Sequence, residues 1–150
     1  PKECMRHIDR ADRAVDGRGE DPGWLDFFDT ARLDGFAGYS ALIAGQHQEA
    51  ARRLRRALDG LGPNGGKQRS VLLADLAAAH APTDPDQAAS LLGRAVDALE
   101  ERWYAVGRDR VSGVLRTLPS GAATKALGER LDELDRRAPL PGLAAEALPG

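Results

Sequence analysis

His7, His47 and His80 are the first side chains to weigh for metal or acid–base chemistry. They fall on three different expected helices. No His-Glu-x-x-His string sets two of them on one helix face, so the zinc-hydrolase pattern is absent. Cys4 is the only cysteine, which leaves neither an internal disulfide nor a cysteine zinc site. Residues 62–67 end in Gly66-Lys67 and superficially suggest a phosphate loop. The pattern fails in detail: Leu61 stands where the first glycine belongs, Gln68 replaces the Ser or Thr, and no strand precedes it. Asp26, Asp29 and Asp34 sit among aromatic residues. Paired carboxylates do acid–base work only when their environments differ, and nothing nearby supplies a nucleophile. They read as helix caps and surface acids. With no catalytic constellation, the expectation is a non-enzymatic chain with no cofactor and no metal.

What remains is recognition chemistry. Arg52, Arg53, Arg55 and Arg56 form a basic run that helical spacing spreads around Leu54. A solvated face is its plain reading. The functional alternative is an acidic partner, or contact with DNA phosphates if a DNA-binding head is attached. The stretch holding Trp24, Phe27, Phe28, Phe36 and Tyr39 carries most of the aromatic residues. Such side chains supply either core area or the anchors of a binding face.

The elements that position these residues are helices. The 150 residues suit one domain, and 42% hydrophobic with 29% charged suits a globular chain. The 26 Ala and 20 Leu, against 3 Phe, 2 Tyr and 2 Trp, favour a core of closely packed helices. Periodicity places about seven helices, at about 2–15, from Asp21-Pro22 onward to 44 (continuous or restarting at Asp29), 46–58, 67–81, 84–101, 108–118 and 122–137. Gly45, the glycine-rich loop at 60–66, Asp84-Pro85 and Pro119-Ser120-Gly121 punctuate them. Gln87 lies three residues after Asp84, in capping-box spacing. No segment alternates as a strand does. Short connections make neighbouring helices antiparallel. The tail at 139–150 holds three prolines and is expected to fray.

A pattern recurs along the chain. Ala50, Leu54 and Ala57 match Ala88, Leu92 and Ala95 at an offset of 38, and Cys4, Ile8 and Ala11 echo it upstream. The reason is steric: a small residue lets two helices of a hairpin lie close, and the large residue four positions on fills the space beside it. Gly38 offers another close approach and Gly45 a turn.

This arrangement resembles the tetratricopeptide repeat, a helix–turn–helix unit of 34 residues. Gly38 and Gly45 stand at that family's helix-A and turn glycines. Residues 31–64 fit one unit and 69–102 a second, in which Leu76 and Thr83 replace the two glycines. Residues 1–16 look like the second half of a partial repeat, and 108–137 like a degenerate hairpin. The expected fold is therefore an all-α right-handed stack of helical hairpins over 1–138. By repeat register, Arg32, Phe36 and Tyr39 would face the concave groove, with Leu73, Ala77 and His80 beside them.

A narrower resemblance lies in Trp24-Leu25-Asp26-Phe27-Phe28-Asp29-Thr30-Ala31-Arg32-Leu33, followed by Gly38, and in the later Leu72-Leu73-Ala74-Asp75-Leu76. Both are similar to the C-terminal region of actinobacterial helix-turn-helix regulators of the Cro/CI type. Arg outnumbers Lys by 18 to 3, which points to a high-GC genome. The start at Pro1 rather than Met reads as a fragment. The resemblance implies a cytoplasmic ligand-sensing or dimerisation domain that meets DNA only through a preceding domain. A net charge of -2 agrees that this part is no stand-alone DNA binder. A homodimer is expected if Met5, Ile8 and Val15 present an uncovered apolar end. The alternative is a free-standing scaffold that takes a peptide or protein in its groove and has no DNA role.

Overall fold

The computed structural model describes residues 30–63 and 65–138. Among these, the chain is all-helical, with six helices: α1 (Thr30–Ile43), α2 (His47–Asp59), α3 (Gly66–His80), α4 (Pro85–Glu101), α5 (Ala105–Leu115) and α6 (Ala122–Arg137). The expected helix at 2–15, with Met5, Ile8 and Val15, lies outside the described residues, as does the tail at 139–150. None of the described helices is long and apolar enough to cross a membrane.

The helices pair in sequence. Helix α1 packs along α2 and α3 along α4, while α5 packs chiefly on α3 and α6 on α4 and α5. Helix α3 is the hub, touching α1, α2, α4 and α5. Its sequence explains why. Leu72, Leu73, Ala74, Leu76, Ala77 and Ala79 are buried, more than one face of the helix, so it packs against neighbours on several sides. The other helices bury one stripe each.

The small-residue pattern is a packing device. Ala50, Leu54, Ala57, Ala88, Leu92 and Ala95 are all at 0% exposure. A Cβ on Gly38 would stand 2.6 Å from Leu54 Cγ, so only glycine lets α1 lie this close to α2. Gly45 has φ +73. Its N–H donates to the Leu42 carbonyl at 3.0 Å and Gln46 N–H to the Ala41 carbonyl at 2.9 Å, the paired closure that ends α1. The second hairpin turns without glycine. The Asp84 and Thr83 amides both donate to the His80 carbonyl, and Asp84 then caps α4 by accepting from Gln87 N–H at 2.9 Å.

Helix α5 starts three residues earlier than its periodicity suggests. Gly107 lies inside the helix and is buried. A Cβ there would stand 2.1 Å from Ser70 Oγ, so this glycine is where α5 crosses α3. Tertiary packing has overridden local propensity.

Candidate functional site

One groove on the described surface has walls from three helices. Helix α1 presents Arg32, Gly35, Phe36 and Tyr39, and α3 presents Gln68, Val71, Leu72 and Asp75. Each set follows i, i+3, i+4, i+7 spacing, so each is one helix face. Tyr104 and, from α5, Val106 and Arg110 close the far wall of a cavity of about 510 Å³. Phe36 is 67% exposed and Val106 49%, large apolar side chains left open to solvent along this groove.

Asp75 forms the groove's polar floor. It is 3% exposed in an otherwise apolar stretch of α3. Arg110 Nη1 lies 3.2 Å from its Oδ1 as an ion pair, but that oxygen accepts no aligned hydrogen bond. Burial pushes the carboxyl up to about 6, and the Arg110 charge only partly opposes this. The same guanidinium sits 4.4 Å from the centre of the Tyr39 ring. Arg110 is thus held between a carboxylate and an aromatic face, which fixes its aim.

A second cavity of about 470 Å³ adjoins the groove at the start of α3. Arg32, Gln68 and Tyr104 line both, and Lys67 and Arg102 join them here. The Lys67 ammonium is 5.8 Å from the Tyr104 ring centre. The Arg102 stem packs on the start of α3, within 3.4 Å of where a Cβ on Gly66 would stand. No acid stands in the first turn of α3.

Three of the six expected groove residues, Arg32, Phe36 and Tyr39, lie along this groove. The other three do not. Leu73 is 1% exposed and Ala77 0%; both belong to the core. His80 lies at the far end of α3, where its Nε2 pairs with Arg55 Nη2 at 2.8 Å. Partial burial and then the Arg55 charge hold its imidazole below the usual range, against the pull of Asp84. The reason is register. The first and third helices align here at an offset of 36 rather than 41, and five residues turn a helix face by about 140°. By the offset of 36, Gly38 corresponds to Ala74, a small residue at 0% exposure, and not to Leu76.

Two further expectations need correction. Asp34 is no surface acid: it is 4% exposed and sits 3.3 Å from both Arg53 and Arg56. The basic run is accordingly not a uniform solvated face. Arg53 is 8% exposed and also bonds Glu49 at 2.9 Å, Arg52 pairs with Glu49, and Arg55 holds His80. These pairings depress the Glu49 carboxyl below its usual range. Arg53 is buried because α1 offers it Asp34 across the hairpin.

Sequence reasoning passed over Asp75, Arg110, Tyr104, Lys67 and Arg102. One signal was present: Asp75 is a lone charge inside Leu72-Leu73-Ala74-Asp75-Leu76-Ala77, and a charge in a fully buried helix needs a partner. His7, Cys4, Trp24, Asp26, Phe27, Phe28 and Asp29 lie outside the described residues. Among the described residues no three of His, Cys, Asp and Glu gather as metal ligands. Compared with known protein families, curated proteins and solved structures, the chain matches none.

Proposed function

We propose that this chain is a non-enzymatic regulatory module of the tetratricopeptide type, the ligand-sensing or dimerisation part of a cytoplasmic helix-turn-helix regulator. The observation that carries the reading is the groove. Helices α1 and α3 turn equivalent faces to one cavity, α5 closes it with Val106 and Arg110, and Phe36 and Val106 stay exposed there. Large apolar residues gathered at a concave site suit binding better than stability, which would bury them.

Placement of the groove also suits a sensor. Its walls belong to α1, α3 and α5, and α3 is the helix that touches four others. A ligand wedged between α1 and α5 alters how the first and third helix pairs sit on α3. Transmission then needs only a small rotation between packed pairs. DNA contact belongs to a separate domain in this reading, consistent with the net charge of -2.

A gel-shift assay at physiological salt tests this division of labour. The probe is duplex DNA from upstream of the chain's own gene. The full gene product is expected to bind it and the 150-residue chain alone is not. Binding by the chain alone, or none by the full product, contradicts the regulator reading.

A further inference from the structure

We propose that the groove and its cationic end together take a small amphiphilic anion: an apolar body of about ten carbons bearing one carboxylate or phosphate. This rests on reading the groove as the ligand site and adds the class of ligand.

Charge carries the assignment. The two adjoining cavities are lined by Arg32, Lys67, Arg102 and Arg110 against a single acid, Asp75. That acid is already paired with Arg110. Arg32, Lys67 and Arg102 have no acidic partner among the described residues, whereas most arginines elsewhere on the described surface, Arg52, Arg108, Arg130, Arg136 and Arg137 among them, do. The chain as a whole is net negative, so this excess of positive charge is local. A cluster of like charges left unneutralised beside an apolar trough favours an anion that brings its own hydrocarbon.

Shape divides the ligand's two ends. The trough between Phe36, Tyr39, Leu72 and Val106 offers aromatic and aliphatic surface with one pinned guanidinium. The other end offers three cationic donors, Arg32, Lys67 and Arg102, beside Leu61, Pro63 and Tyr104. Together the volumes suit a small molecule rather than a folded partner. A cationic amphiphile would meet repulsion at the cationic end, and a neutral one would leave the three cations unused.

Isothermal titration calorimetry on the 150-residue chain tests this, with sodium decanoate, decyl phosphate, decanol and decyltrimethylammonium as probes. At least one of the two anions is expected to bind with a Kd on the order of tens of micromolar. Which one binds tighter separates a carboxylate from a phosphate source. Decanol is expected to bind about tenfold or more weakly, and the ammonium not at all. Replacing Arg32, Lys67 and Arg102 together by Gln should abolish the preference for anions, with the helical circular dichroism unchanged. Phe36→Asp should weaken every probe. Equal binding of decanol and decanoate, or an unchanged anion preference in the triple variant, overturns the proposal. So does binding of an acidic aromatic peptide with none of decanoate or decyl phosphate. Neutral fragments that bind in the groove while neither anion does overturn the ligand class and leave the groove reading standing.

Discussion

At the scale of single residues, Asp75 is where burial and charge conflict. Its carboxyl is raised from 3.8 to about 6 chiefly by desolvation. The folded chain therefore holds this proton over a pH range where the unfolded chain has lost it. Its contribution to stability is fullest below about pH 4 and falls as pH rises through about 6, by at most about 3 kcal/mol. Asp75→Asn should remove that slope. The variant should be more stable than the parent at pH 8 by about 1–2 kcal/mol and lose the advantage near pH 4. Urea unfolding at the two pH values checks this. The comparison cancels His80 and Glu49, whose depressed values act in the opposite sense and favour the folded state as pH rises. Asp34 is the contrasting case, because two arginines share its charge. Asp34→Ala takes from buried Arg53 its carboxylate partner across the hairpin and should cost about 2–3 kcal/mol in the same assay.

At the scale of elements, the glycines separate into those that pack and those that merely occur. Gly38→Ala drives a methyl into Leu54 and should destabilise by about 1–3 kcal/mol. Gly128, inside α6, would have nothing within 4 Å of an added Cβ. Gly128→Ala should therefore stabilise by about 0.5–1 kcal/mol through helix propensity alone. Thermal unfolding of the two variants reads both signs. The same contrast explains what the chain's letters reveal. Helix ends at Gly45 and Asp84 were legible because their signals are local: a left-handed turn and a cap. The small–large–small pattern was legible because a helix face repeats. The start of α5 was not, since Gly107 is explained only by Ser70, far away in sequence. Register between α1 and α3 failed for the same reason. The shift of five residues exchanged Leu73, Ala77 and His80 for Gln68, Leu72 and Asp75.

At the scale of the whole molecule, Arg32, Phe36 and Tyr39 line one groove together because they lie on one helix face. The rest comes from α3, α5 and Tyr104, and only the packed helices bring those residues together. This makes the groove a property of the assembly: it exists only while α1, α3 and α5 hold their places. Helix α3 holds them, and its Leu72 and Asp75 serve both the packing and the groove. A substitution at an exposed groove residue should change binding and leave stability alone. Phe36→Asp, at a residue 67% exposed, is expected to shift the unfolding free energy by no more than about 0.5 kcal/mol while weakening ligands. The most direct test of the groove is a backbone-amide NMR screen of the 150-residue chain against small neutral and anionic fragments. The expected result is that hits shift the amides around Arg32, Phe36, Tyr39, Gln68, Tyr104 and Arg110 together. Hits that gather instead around residues 46–52, or no hits at all, would contradict the groove as the recognition face.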